Sequence, residues 1–209
     1  LTCVACDAQG EIVCAGAQDA PFSVYVWSLQ TGSLLDVLSG HEGPVSCMDY
    51  CHARGVLATG SWDGTVKVWD VYGGGAGVET FEHGCDILSV SFRPDGKELV
   101  ACNTRGELCI WDPQGGVQLK TIEGRGDLQG GRLTTDMRSA QNNERTRFFS
   151  SVSYSMDGSV LLAGGKGRYV CMYNAESGSL ICKLPLSHNL SLEGMQDKLR
   201  SDRLVDGVR

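Results

Sequence analysis

Short apolar runs rich in Val, Ile, Leu, Tyr and Phe recur along the whole chain, and Gly, Pro, Asp and Asn punctuate them. Runs of this length and composition, closed by turn residues, predict β-strands rather than helices. They fall into groups of four. Residues 1–40 hold LTCVA, EIVCAG, FSVYVW and SLLDVL. Residues 41–84 hold VSCMDYC, VLATGS, TVKVWD and VETFE, with a glycine-rich turn, Gly73–Gly77, before the last. Residues 85–123 hold ILSVSF, ELVACN, ELCIW and VQLKTI, and residues 148–186 hold FFSSVSYS, SVLLAG, YVCMYN and SLICKL.

The grouping is a repeat. Trp27, Trp69 and Trp111 stand 42 residues apart, and Tyr173 takes the equivalent place 62 residues after Trp111, so about 20 extra residues intervene. Gly10, Gly55, Gly96 and Gly158 each precede the second strand of a group. A period near 42 is that of a four-stranded WD blade. The prediction is an all-β WD40 β-propeller, with about four consecutive four-stranded blades of a larger, seven-bladed ring.

One group carries its own polar lock. Gly40-His41 opens it and Trp69-Asp70 closes it, with Thr59 on the second strand and Asp63 in the next turn. The spacings place an imidazole, a hydroxyl, a carboxylate and an indole N–H where they can satisfy one another, a structural tetrad of His41, Thr59, Asp63 and Trp69. The other groups are degenerate. Ala101 and Arg105 replace the hydroxyl and the carboxylate beside Trp111. Tyr173 replaces Trp, with Gly167 at the Asp place, and Asp19 lies eight residues before Trp27 instead of six.

Composition narrows the function. A formal charge of −7 argues against general adhesion to nucleic acid or anionic membranes. No apolar run is long enough to cross a bilayer as a helix, and no secretory leader pattern opens the chain. Leu1 is not an initiator Met, so the chain reads as an excerpt. Ten cysteines sit mostly inside apolar strands, where cysteine acts as a small hydrophobe. The single CxxC, Cys3 to Cys6, lies in a strand that turns the two sulfurs to opposite faces, so no metal and no cofactor are expected. Reduced thiols suit an intracellular compartment. The histidines at 41, 52, 83 and 188 show no nucleophile–base spacing, and the reading is not an enzyme.

Two segments interrupt the rhythm. Residues 124–147 carry Arg125, Arg132, Arg138, Arg145 and Arg147 against three acids, a net charge of +2 in an acidic chain. A connection of that length is either a solvated excursion or a docking segment, and its arginines are candidate RNA- or partner-binding residues. Arg125-Gly126-Asp127 spells an adhesion tripeptide that chance explains. Residues 187–209 read as a linker in which Ser191 caps a short helix with Leu192, Met195 and Leu199 on one side.

GHEGPVS, ATGSWDGTVKVWD, SFRPDGKELV, the TIEGR-GDL-GGR insertion, LLAGG-Y-C-Y and NLSLEGMQDKL together resemble the periodic tryptophan protein 2 family over nearly the whole chain. The resemblance implies tandem propellers and a helical C-terminal region, of which these blades would be part of the second propeller. It implies a non-catalytic scaffold of ribosome biogenesis in the nucleolus, inside the small-subunit processome with the U3 small nucleolar ribonucleoprotein, supporting small-subunit rRNA processing. Its partners would be other WD-repeat processome subunits and the remaining blades of the same polypeptide, with direct contact to U3 snoRNA and pre-rRNA left open and no membrane. The alternative is a generic WD-repeat adaptor, such as a ubiquitin-ligase substrate receptor.

Overall fold

The computed structural model describes residues 1–7, 9–73, 77–128, 148–165 and 169–185. Among the described residues, sixteen strands form four separate four-stranded antiparallel sheets. Blade A contains β1 (Cys3–Cys6), β2 (Ile12–Gly16), β3 (Val24–Ser28) and β4 (Leu34–Leu38). Blade B contains β5 (Val45–Cys51), β6 (Val56–Ser61), β7 (Thr65–Asp70) and β8 (Gly77–Glu82). Blade C contains β9 (Ile87–Phe92), β10 (Leu99–Asn103), β11 (Glu107–Asp112) and β12 (Val117–Glu123). Blade D contains β13 (Phe149–Tyr154), β14 (Val160–Gly165), β15 (Tyr169–Asn174) and β16 (Leu180–Pro185). The glycines before each second strand share one left-handed backbone, φ near +70° at Gly10, Gly55, Gly96 and Gly158, so the repeat seen in residue type is also a repeat of conformation.

First strands pack beside first strands, in the order β1, β5, β9 and β13. Each junction buries one apolar cluster. Cys14, Val24 and Val26 of blade A meet Val45, Leu57 and Trp69 of blade B. Val66, Val68 and Phe81 of blade B meet Ile87, Leu99 and Trp111 of blade C. Leu108, Ile110 and Ile122 of blade C meet Phe149, Leu161 and Tyr173 of blade D. Burying one such aliphatic or aromatic side chain contributes about 1.5–3 kcal/mol, so blade stacking holds the array together. Polar contacts cross the same junctions. Ser46 Oγ donates to the Ile87 carbonyl at 2.7 Å, and the Phe92 N–H donates to Asp49 Oδ2 at 2.7 Å.

Three of the four periodic aromatics face the blade before them. Trp69 faces blade A, Trp111 faces blade B and Tyr173 faces blade C. Trp27 points the other way from the blade A–B core, opposite Val13 and Leu34 in the sheet, and stacks on Tyr25 with ring centroids 5.7 Å apart. In all four blades the pairing of third and fourth strands slips by one residue at this aromatic: at Val26/Trp27, Val68/Trp69, Ile110/Trp111 and Met172/Tyr173. The extra residue lies in the fourth strand each time, and alternation along the third strand sends each ring to the face opposite the residue before it.

Candidate functional site

Blade B forms the tetrad that its sequence spacing predicts. His41 Nδ1 lies 2.9 Å from Asp63 Oδ2, His41 Nε2 lies 2.7 Å from Thr59 Oγ1, and Trp69 Nε1 donates to Thr59 Oγ1 at 2.8 Å. A carboxylate only accepts, so Nδ1 carries the proton. Nε2 then accepts from the Thr59 hydroxyl, whose oxygen accepts from the indole. Asp63 also accepts from the Glu42 and Thr65 N–H groups and the Thr65 hydroxyl. Burial pushes the His41 imidazole below its ordinary value, against the pull of Asp63. Burial would raise the Asp63 carboxyl, but donation from Thr65, His41 and the Glu42 N–H outweighs it and holds it low. The pair is a neutral imidazole on an ionised carboxylate, a structural clamp.

Blade C holds half of the same device. His83 precedes β9 by the four residues that separate His41 from β5, and it stands 42 residues after His41. Its ring meets Trp111 edge-on at 5.2 Å, as His41 meets Trp69 at 6.2 Å. With Ala101 and Arg105 in place of hydroxyl and carboxylate, both His83 ring nitrogens and Trp111 Nε1 are buried without a partner among the described residues. Burial pushes the His83 imidazole down to about 4, against the pull of Glu107. The 42-residue period contained this histidine, and reading only the positions around Trp111 misses it.

Blade D solves the problem differently. The Tyr173 hydroxyl donates to Asp127 Oδ2 at 2.9 Å, and Lys183 Nζ pairs with Asp127 Oδ1 at 3.3 Å. Asp127 belongs to the opening turn of the 124–147 insertion. That turn is docked rather than free. Leu128 is buried in the blade C–D core, and a Cβ on Gly124 would lie 2.0 Å from Phe149 Cε2. In the Arg-Gly-Asp tripeptide, Asp127 is thus a structural anchor. Arg125 is exposed, and its Nε donates to the Arg105 carbonyl at 3.1 Å. Two exposed arginines, Arg105 and Arg125, therefore stand together at the tetrad end of the blades. Arg132, Arg138, Arg145 and Arg147 lie outside the described residues, as do Gly167 and the 187–209 segment with its Ser191-capped helix.

No group of three or more His, Cys, Asp or Glu side chains is placed to hold a metal among the described residues. All ten cysteines are unpaired, and burial raises most of their thiols, that of Cys47 to about 12. No helix among the described residues is long and apolar enough to cross a membrane.

Comparison with known proteins gives the blades a family. Residues 32–70 and 76–112 match the family model "WD domain, G-beta repeat". The periodic tryptophan protein 2 homolog of Schizosaccharomyces pombe is 45% identical over 206 residues, covering 99% of this chain and 24% of that protein. Periodic tryptophan protein 2 of Arabidopsis thaliana is 45% identical over 200 residues, 96% of this chain and 22% of the relative. Its Saccharomyces cerevisiae counterpart is 40% identical over 206 residues, 99% and 22%. A chain of the "Crystal Structure of Mitotic Checkpoint Complex" superimposes with a TM-score of 0.71 at 18% identity, over 88% of this chain and 50% of that one, which shows the propeller fold alone. The chain spans under a quarter of the length of the curated relatives it matches, and across that span it belongs to the periodic tryptophan protein 2 family of WD-repeat proteins.

Proposed function

We propose that these blades belong to a non-catalytic scaffold of ribosome biogenesis, a subunit of the U3-containing small-subunit processome that supports small-subunit rRNA processing in the nucleolus. The observation that carries this reading is identity of 34–45% to periodic tryptophan protein 2 relatives along nearly the full chain, the 124–147 insertion included. Side-chain chemistry is consistent with a scaffold. His41 is committed to a clamp, the ring nitrogens of His83 are buried and uncharged at neutral pH, and the buried thiols are held protonated. Such groups build interfaces better than they move protons.

The partners proposed are other WD-repeat subunits, with U3 snoRNA and pre-rRNA reached through the basic insertion. Arg105 and Arg125 at its root support that route, because planar guanidinium groups meet phosphate or carboxylate with paired hydrogen bonds. The test replaces Arg125, Arg132, Arg138, Arg145 and Arg147 with Ala in the intact protein and follows particle sedimentation, RNA cross-linking and rRNA precursors. The expected result is a folded protein that is poorly retained in the large particle, with uncleaved small-subunit precursor accumulating. RNA contact requires cross-links to fall and the salt dependence of binding to flatten. Normal assembly and normal small-subunit rRNA would remove the insertion from the binding route.

A further inference from the structure

A cavity of about 260 Å³ opens at the end of the blades opposite the tetrad. The β1–β2 turn of blade A supplies Asp7 and Glu11. The β5–β6 side of blade B supplies Tyr50 and His52, and the β7–β8 turn supplies Tyr72. Asp7 is only 5% exposed. Its Oδ1 accepts from the Glu11 N–H at 2.8 Å and the Ile12 N–H at 3.3 Å, and its Oδ2 accepts from the Tyr72 hydroxyl at 2.9 Å. Burial alone would raise this carboxyl, but the donors from Tyr72, Ile12 and Glu11 outweigh it and hold it below its ordinary value, so it stays ionised.

Neither Asp7 nor Glu11 has a cationic partner among the described residues. The Glu11 carboxylate is exposed and has no partner among the described residues, while Asp7 already accepts from three donors. Tyr50 is buried at the cavity wall with the His52 ring 5.6 Å away, and Tyr72 stands 59% exposed at the mouth. The cavity thus joins two uncompensated negative charges to aromatic faces, the surroundings that attract a cation. Its volume falls below the ~300–1,000 Å³ of pockets that enclose whole small ligands, which suits one inserted side chain. A guanidinium fits better than an ammonium. It is flat enough to lie on a phenol, weakly hydrated, and able to fork onto the one free carboxylate.

We propose that this cavity receives an arginine side chain of a protein partner, its guanidinium stacked on Tyr72 beside Tyr50 and hydrogen-bonded to Glu11. The assignment does not depend on a role in ribosome biogenesis. The test titrates the intact protein, labelled with 3-fluorotyrosine, with N-acetyl-arginine N-methylamide and with its lysine and citrulline analogues. Fluorine resonances are assigned through Tyr50→Phe and Tyr72→Phe variants. The expected result is a saturable shift of the Tyr50 and Tyr72 resonances with the arginine probe, and none with citrulline. Glu11→Gln, at an exposed site that leaves folding intact, should weaken binding at least about threefold. Equal binding of citrulline, equal binding of lysine, indifference to Glu11→Gln, or no shift at all would each overturn the assignment.

Discussion

His41 and His83 hold the same place in consecutive blades, yet one ring is fully engaged and the other has no hydrogen-bond partner among the described residues. Their substitution should therefore have opposite outcomes. His41→Phe leaves Thr59 and Asp63 short of a partner in a buried network, a loss of about 1–3 kcal/mol. His83→Phe removes two unpaired nitrogens and keeps an aromatic ring against Trp111, so its effect at neutral pH should lie within about 1 kcal/mol of zero. The two also differ in acid. The folded-state value for His83, about 4, lies below the unfolded value of 6.5. Its contribution is complete above pH 6.5 and is lost as pH falls toward 4, roughly 2–3 kcal/mol across that window. Hydrogen exchange read blade by blade in the intact protein should show His83→Phe flattening the acid sensitivity of blade C. Equal losses from both substitutions at neutral pH would show that His83 has a partner after all.

Among elements, the strands were the most legible part of the sequence. VSCMDYC and ELVACN announce themselves by apolar content, and the turn glycines mark where each second strand begins. The blade B tetrad was equally legible, because all four members lie within one period. Blade D was not, since its insertion brings Asp127 to Tyr173 from a segment that carries no strand pattern. The bulges at the periodic aromatics were hidden too, because register depends on how two strands pair and not on what either contains. Nor does composition reveal how closely the blades approach. A Cβ on Gly60 of β6 would lie 2.6 Å from Cys47 Sγ and 2.7 Å from Ile87 Cγ2 of the next blade. Gly60→Ala should cost about 1–3 kcal/mol by overpacking that junction. Gly126→Ala, with nothing within 4 Å, should be near neutral. Thermal unfolding of the two variants checks the contrast, and equal midpoints would mean that the blades can separate without loss.

On the scale of the whole molecule, two blade faces lack a neighbour within the described residues. Blade A turns Val4, Tyr25, Trp27 and Val37 outward, and blade D turns Leu162, Val170, Met172 and Leu184 outward. Apolar faces of that breadth drive association. The 209 residues made alone should self-associate in sedimentation velocity, and a monodisperse, cooperatively melting monomer would show that the blades close on themselves. The junction between blades C and D has a different meaning for the chain. Every described strand of blades A to C ends before Leu128, and every described strand of blade D begins after Phe148. Both sides nevertheless share one core, and Ser89 Oγ accepts the Val152 N–H across it at 3.3 Å. A cut within residues 129–147 would therefore separate the polypeptide without dividing a described sheet. The propeller is divisible there into two pieces that carry complementary surfaces, and covalent continuity and folded continuity part company at that point.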